Sequence, residues 1–404
     1  MRGIVLCFIC NACSNSAKNV EDSSIRQIDV MANLTNTQTI YLSEIASSIE
    51  YIALESDKKC LVSPTMSIYC SKEHVVAIGN QTVNHAACYV FCRKTGKFVR
   101  EISRPGRGPG EYGHVYSHFW DENREQICVG GNNQIIFFNL DGTLSHQSNL
   151  FKAPLGIFVA FDNYYVAYHP NRSGSDTLRL SFYDKRGNLT GFIPNFRSWE
   201  RINTWTQRSG IEVLMYVYDN NLYFKEIYCD TLFHIKDFTL QPRYVFNTNG
   251  LSVPYKIQED GRWDILGSIR SGRVPVDRYE RYIIISNILE NSNNLFFSIE
   301  HRQHLYPAIY NKANEKIQIM LPVFIPPPSR NRIMLLYGFE NDLDGGLPFW
   351  PQQMISDKEM MCVYTAEELL ELDASKITDE KLKKLLNDLN EESNPVVVIV
   401  TLKE

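Results

Sequence analysis

The residues best suited to binding chemistry lie in one glycine-rich segment, residues 106–112, with the sequence GRGPGEY. Arg107, Glu111 and Tyr112 could present a guanidinium, a carboxylate and a phenol on a single loop. The spacing matches neither a phosphate-binding loop nor a dinucleotide fingerprint, because no Gly-Lys-Ser/Thr ending and no following helix are present. Two interpretations remain: a ligand-binding loop, or a tight turn in which Glu111 accepts hydrogen bonds from backbone amides.

A second group of chemically capable side chains surrounds Asp342 and Asp344. These two carboxylates stand beside Gly345 and Gly346, and hard cations such as Ca²⁺ prefer carboxylate oxygens. The remaining ligands of a calcium loop are missing from the sequence. We therefore expect no cofactor, with Ca²⁺ at Asp342 and Asp344 as the alternative to a purely structural loop.

Tryptophan side chains form the third candidate group. Trp205 and Trp263 fall in predicted loops, where an indole ring could stack on a sugar. Most other aromatic residues are better explained as core, because large rings suit the contacts between twisted sheets. The sequence contains no nucleophile elbow or other recognised catalytic signature, so no catalytic residue is predicted. The predicted ligand-binding residues are Arg107, Glu111, Tyr112, Trp205 and Trp263.

The composition is that of a globular protein. The chain has 404 residues, 44% of them hydrophobic, and a formal net charge of -5. A chain of this size can bury several cores or one large closed architecture. It has no basic stripe that could neutralise a phosphate backbone, so we expect no nucleic-acid partner.

The N-terminus carries the pattern of an export signal. Residues 1–12 give one positive charge, a short apolar run and a small residue, as in a secretory signal peptide. The apolar run is far shorter than the roughly 20 residues that span a bilayer. Ala12 and Cys13 precede polar residues, as at a bacterial lipoprotein cleavage site. We predict a lipid anchor on Cys13, a flexible tether over residues 13–39 and a cell-envelope location. Secretion without a lipid, or a misassigned start, are the alternatives.

Short aromatic and β-branched runs dominate residues 40–350, which predicts an all-β protein. A recurring unit consists of an aromatic-rich strand, a polar turn with glycine and another strand, and its copies are spaced by about 45 residues, as propeller blades are. We predict six blades, five within residues 65–320 and a sixth near residues 333–365. The clear copies are residues 89–99, 136–144 and 180–189, and the degenerate copies are residues 232–240 and 308–317. The candidate inner strands that precede them are residues 75–79, 126–130, 164–168, 221–225 and 294–298.

Two segments depart from this repeat. Residues 251–281 break the period and are predicted to be an insertion between blades four and five. Residues 366–392 are predicted to be helical, with Thr365 in a capping box and Thr378 as the cap of a second helix. The apolar residues 396–402 and the strand-like residues 49–54 are predicted to pair and close the ring, because closure removes exposed sheet edges.

Four segments carry a pattern shared with a known family: residues 40–55, 106–112, 341–351 and 394–399. They resemble the 6-bladed β-propeller lipoproteins of gut anaerobic bacteria, and the resemblance spans nearly the whole chain after the signal. The resemblance implies six blades distantly similar to NHL-type repeats and export through a lipoprotein signal. It implies no particular activity.

Three functions are compatible with these observations. The first is a binding module for a glycan, a peptide or an envelope protein, which uses one mouth of the propeller and the insertion at residues 251–281. The second is a propeller enzyme, a lyase or hydrolase, with a metal or a carboxylate pair at the central channel; only analogy of fold supports it. The third is a structural subunit of an outer-membrane assembly.

Overall fold

The chain forms a six-bladed β-propeller, so the predicted all-β fold class is confirmed. From blade two to blade six, the first strands of neighbouring blades contact one another, which places the first strands innermost. Strand order within blades one to five then follows the chain from the inner to the outer edge. The structure is a computed structural model that describes residues 25–64, 66–82, 85–102, 106, 108, 110–111, 117–121, 124–131, 134–148, 158–171, 173–200, 212–255, 281–325 and 336–403.

The N-terminal part of this region, residues 26–53, runs along the outer edges of three blades; we call it the N-terminal belt. Its first strand pairs in parallel with the outer strand of blade four, and its second pairs in parallel with that of blade five. Its third strand is itself the outer strand of blade six. The elements are β1 (Arg26–Ile28), α1 (Val30–Asn33), β2 (Thr37–Gln38), α2 (Leu42–Ile45) and β3 (Ala46–Ala53).

The belt corrects the prediction of a flexible tether over residues 13–39. From residue 25 onward the chain is part of the fold, and Ile28 is only 1% exposed and Val30 fully buried. The sequence is polar here because short strands that add to an existing sheet are held mainly by backbone hydrogen bonds. A few apolar side chains, Ile28, Val30 and Leu34, suffice to fix them against the core between blades four and five.

Blades one to three each contain four antiparallel strands, and the fourth is the outermost described strand. Blade one comprises β4 (Ser67–Cys70), β5 (His74–Thr82), β6 (His85–Cys92) and β7 (Phe98–Glu101). Blade two comprises β8 (Ser117–Asp121), β9 (Gln126–Gly131), β10 (Gln134–Asn139) and β11 (Leu144–Ser148). Blade three comprises β12 (Phe158–Phe161), β13 (Tyr164–Tyr168), β14 (Leu178–Tyr183) and β15 (Leu189–Pro194).

Blades four to six include the strands of the belt. Blade four comprises β16 (Val213–Tyr218), β17 (Asn221–Glu226), β18 (Thr231–Lys236) and β19 (Thr239–Phe246), with β1 outside. Blade five comprises β20 (Ile284–Glu290), β21 (Asn294–His301), β22 (His304–Asn311) and β23 (Lys316–Met320), with β2 outside and β24 (Val323–Phe324) paired to β22. Blade six comprises β25 (Gln353–Met354), β26 (Glu359–Tyr364), β27 (Val396–Leu402) and β3.

The ring closes in blade six as the sequence predicts. Strand β27 pairs antiparallel with β3, and Val397 lies opposite Ile52. The apolar runs predicted as inner strands are instead the second strands of their blades, β5, β9, β13, β17 and β21. Their side chains are buried on both faces of the sheet, which is why they form the strongest apolar runs in the sequence.

Two short helices, α3 (Ala366–Leu370) and α4 (Glu380–Asp388), interrupt blade six between β26 and β27. The capping box of Thr365 and Glu368 is present as predicted. The second cap is Asp379 rather than Thr378, because the Asp379 carboxylate accepts a hydrogen bond from the amide of Leu382 at 2.8 Å. None of the helices in the described ranges is long and apolar enough to cross a membrane.

The strand order gives the propeller two faces. On the connection face, the chain passes from the outer strand of each blade to the inner strand of the next. On the turn face, hairpin turns join the first strand to the second and the third to the fourth. In the sequence, all the predicted residues fall between the last strand of one blade and the first strand of the next: Arg107, Glu111, Tyr112, Trp205, Trp263, Asp342 and Asp344.

Candidate ligand site on the turn face

The glycine-rich segment at residues 106–112 contains one predicted ligand-binding side chain that the structure describes, Glu111. Its carboxylate Oε2 accepts a hydrogen bond from the backbone amide of Gly108 at 2.8 Å. A Cβ atom on Gly106 would stand 1.9 Å from the same oxygen, so the carboxylate lies directly against the backbone of this turn. This geometry matches the tight-turn interpretation, and a ligand role for Glu111 stays a prediction. Arg107 and Tyr112 lie outside the described residues.

Cys13, Trp205 and Trp263 also lie outside the described residues. However, Arg197 and Tyr255, which precede Trp205 and Trp263 in the sequence, are linked through hydrogen bonds to Asn171. The side-chain amide of Asn171 donates both to the backbone carbonyl of Arg197 and to the hydroxyl of Tyr255, each at 3.0 Å. The Arg197 guanidinium lies 5.2 Å from the centre of the Tyr255 ring.

Asp342 and Asp344, the candidate Ca²⁺ ligands, have separate protein partners. Asp342 accepts hydrogen bonds from the amide and the hydroxyl of Ser43, at 2.9 and 2.5 Å. Asp344 accepts from the side-chain amide of Asn341 at 2.7 Å and from the amide of Gly346 at 2.9 Å. Asp342 thus ties α2 of the belt to the connection that leads into blade six. In the described part of the chain, no three Asp, Glu, His or Cys side chains are grouped as metal ligands.

A cavity of about 390 Å³ opens on the turn face, where blades two, three and four meet. The five described residues that line it come from the ends of inner strands and from the turns that follow them. None of them is among the residues predicted from the sequence. They are Arg124, Phe161, Asp162, Val217 and Asn220.

Tight turns position the polar residues of this cavity. The turn between β16 and β17 consists of Asp219 and Asn220, with φ angles of 46° and 53°. Two successive positive φ angles are typical of the hairpin turn that suits twisted strands, and Asp and Asn tolerate them better than most residues. Asp162, in the equivalent turn of blade three, has a φ of 49°. The turns therefore fix the backbone from which Asp162 and Asn220 reach the cavity.

Arg124 is held in place from behind. Its Nη1 donates to the carboxylate of Asp121, which is 4% exposed, and its Nη2 donates to the backbone carbonyl of Asp162. The guanidinium thereby links blade two to blade three and lies 5.9 Å from the ring centre of Tyr165. Burial raises the pKa of Tyr165, so this ring stays uncharged beneath the cation. A guanidinium has five N–H groups, and these two bonds leave donors for a ligand.

Asp162 and Asn220 also keep unused hydrogen-bonding capacity. Oδ1 of Asp162 accepts a hydrogen bond from the side chain of Asn163 at 3.2 Å. Within the described residues, Oδ2 of Asp162 and the side-chain amide of Asn220 have no hydrogen-bond partner. Phe161 and Val217 complete the wall with apolar surface. The cavity therefore combines a charged donor, a charged acceptor and an amide with two apolar side chains.

This site has little signature in the sequence, because Asp and Asn in hairpin turns are ordinary turn residues. One signal was available: an acidic residue followed by Asn occurs at the first hairpin of two consecutive blades, at residues 162–163 and 219–220. Arg124 lies in a charged run, residues 121–125, that resembles any solvated turn.

One hydrogen-bonded pair elsewhere resembles a nucleophile with its base. The hydroxyl of Ser181 lies 2.7 Å from Nε2 of His169 in blade three. Ser181 is completely buried, so a substrate would not reach its hydroxyl. The pair is explained as a buried hydroxyl with a satisfied hydrogen bond.

Two solved structures resemble the chain over most of its length. A Bacteroides fragilis protein described as exported is 18% identical, with a TM-score of 0.67 over 94% of this chain and 100% of that chain. A member of the duf4221 family from Bacteroides vulgatus is 12% identical, with a TM-score of 0.51 over 89% of this chain and 97% of that chain. At these identities the likeness concerns the fold.

No curated protein matches the sequence significantly. The family model described as domain of unknown function DUF4934 matches residues 25–401. The match begins one residue before the belt and includes all six blades. The chain therefore belongs to the DUF4934 family.

Proposed function

We propose that the protein is an exported, lipid-anchored binding module that takes a small polar ligand into the cavity on the turn face. The observation that carries this proposal is the convergence of Arg124, Asp162 and Asn220, each with unused hydrogen-bonding capacity, on a cavity of about 390 Å³. Ligand pockets usually have volumes of about 300 to 1,000 Å³ and combine apolar walls with a few polar groups. A cavity of this size suits a small molecule, or one end of a glycan or peptide, better than a protein surface.

Export and anchoring are supported by the signal-like residues 1–12 and by Cys13. The similarity to a Bacteroides fragilis protein described as exported agrees with them. The described fold starts at residue 25, so a tether from Cys13 would comprise at most residues 13–24. Two acyl groups on Cys13 would supply the double attachment that stable membrane binding needs. The site would thus act in the cell envelope, as a periplasmic or outer-membrane lipoprotein.

Binding is preferred to catalysis because no described group favours the enzyme alternative. Among its described lining residues the cavity has one carboxylate, Asp162, and neither a second acid to pair with it nor a base. An envelope protein that binds elsewhere on the propeller is the other outcome that the experiment below can reveal.

The test is a thermal-shift screen of the mature chain against small polar compounds, with two tryptophan variants. Val217→Trp fills the cavity, and Leu189→Trp is the control on the rim of blade three, where Leu189 is 53% exposed. A ligand raises the melting temperature because it binds only the folded state. We expect a compound that stabilises the wild type and Leu189→Trp and has no effect on Val217→Trp. Failure of every compound, or equal binding to both variants, would refute the proposed site.

A further inference from the structure

We infer that the cavity on the turn face binds a neutral, polyhydroxylated ring, such as one or two sugar residues. This inference rests on the proposed function and names the chemical class of the ligand. Three features of the cavity carry it: its charge balance, its set of donors and acceptors, and its apolar wall.

The charge balance disfavours an anionic ligand. The positive charge of Arg124 is already matched by Asp121, whose carboxylate is bound to the guanidinium and nearly buried. Asp162 adds a second carboxylate at the cavity wall. Among the described lining residues Arg124 is the one cation, so a phosphate or carboxylate ligand would meet the negative charge of Asp162 and would have to compete with Asp121 for Arg124.

The donors and acceptors match hydroxyl groups. An anionic ligand needs only hydrogen-bond donors from the protein, and an ammonium group needs only acceptors. A ligand hydroxyl donates one hydrogen bond and accepts others, so it needs both. The cavity offers both kinds side by side: N–H groups of Arg124, Oδ2 of Asp162, and the amide of Asn220, which supplies one of each. Two neighbouring hydroxyls of a ring would use this whole set.

The apolar wall matches the C–H faces of such a ring. Phe161 and Val217 stand at the ends of the inner strands of neighbouring blades, beside the polar turns. A sugar ring buries its C–H surface against apolar side chains and turns its hydroxyls to polar groups, so both parts of the wall would be used. The volume is at the lower end of the usual range for ligand pockets, which suits one or two rings.

The polar groups of the cavity are also preorganised in the ligand-free protein. Asp121 and the Asp162 carbonyl fix Arg124, and the hairpin turns fix the backbones of Asp162 and Asn220. A preorganised site loses less conformational freedom on binding. This matters for sugars, because their hydroxyls must give up hydrogen bonds to water of similar strength.

The test is isothermal titration calorimetry of the mature chain with three panels: neutral mono- and disaccharides, amino acids and amines, and phosphorylated or carboxylated sugars. We expect saturable binding from the neutral panel only, abolished by Val217→Trp. Asn220→Gly keeps the positive φ and removes the amide, and we expect about tenfold weaker binding, the effect of one lost hydrogen bond. Asp219→Asn is the matched control in the same turn, outside the lining, and should leave affinity unchanged.

The outcomes separate this inference from the proposed function. If a compound of the second or third panel binds and Val217→Trp abolishes its binding, the site stands and the sugar assignment is wrong. If no panel gives binding that Val217→Trp abolishes, both are wrong. A neutral sugar whose affinity does not change in Asn220→Gly, or falls equally in Asp219→Asn, would overturn the assignment of the amide to the hydroxyls.

Discussion

The two halves of the propeller are built differently at the rim. In blades four to six, the belt covers the outer strands β19 and β23 and supplies the outer strand of blade six. In blades one to three, no described strand pairs outside β7, β11 and β15. Side chains on these uncovered strands are half-exposed, for example Val99 at 41% and Phe192 at 51%. One half of the ring is therefore fastened across three blades, and the other relies on the contacts between adjacent blades.

The cavity lies where these halves meet, because its lining comes from blades two, three and four. Arg124 is both a wall of the cavity and a link between blades two and three. A ligand that binds this guanidinium would also stabilise the link. The comparison indicates that the belt secures the half that contains the ring closure, while the binding groups sit beside the less fastened half.

The largest effect is expected from Glu290, in the belted half. This completely buried carboxylate accepts hydrogen bonds from Arg243 at 2.9 Å and Tyr216 at 2.8 Å, and Lys312 lies 2.6 Å away. Burial and the Glu290 charge raise the pKa of Tyr216, so its hydroxyl remains a donor. Glu290→Ala would leave two cations without their partner at the joint of blades four and five. We expect a loss of about 3 to 5 kcal/mol of unfolding free energy, measured by urea denaturation.

Glu315→Ala is the control for Glu290→Ala. Glu315 faces Arg26 of the belt at 3.9 Å, but its side chain is 63% exposed. An exposed pair of this kind contributes about 0 to 1 kcal/mol. Equal effects of the two variants would show that the buried network does not hold the joint.

The next effect is expected from Ile28, which tests the belt itself. Ile28→Ala removes a buried side chain between blades four and five, and such truncations destabilise proteins by about 2 to 5 kcal/mol. Val99→Ala, on the uncovered strand β7, should change the free energy of unfolding by less than about 0.5 kcal/mol. The measurement is again urea denaturation, together with the rate of proteolysis within residues 25–39. If Ile28→Ala behaved like Val99→Ala, the original tether prediction would be restored.

The features that the sequence could predict are those with a strong local pattern of residues. Blade number, the closing pair β27 and β3, and the Thr365 capping box were accessible, because buried strands and caps leave strong local patterns. The belt was not accessible: β1 and β2 are three and two residues long and are held largely by the backbone, which carries no sequence signal. The cavity was not accessible for a related reason. Asp162 and Asn220 are ordinary residues for a hairpin turn, and they line a cavity only because blades three and four are neighbours in the fold.

The smallest effect is expected where the belt meets blade six, at Asp342. Asp342→Ala removes two hydrogen bonds to Ser43, at the start of α2, and we expect a loss of about 1 kcal/mol. Ser43→Ala removes only the hydroxyl partner, so a double-mutant cycle of the two positions isolates the contact. The same samples distinguish a direct Asp342–Ser43 contact from a cation site. If Ca²⁺ binds there, adding millimolar CaCl₂ raises the free energy of unfolding. We expect coupling between Asp342 and Ser43 and no response to CaCl₂. A calcium response in the wild type that Asp342→Ala abolishes would mean that Asp342 is a ligand, and that the belt is fastened at this point by an ion.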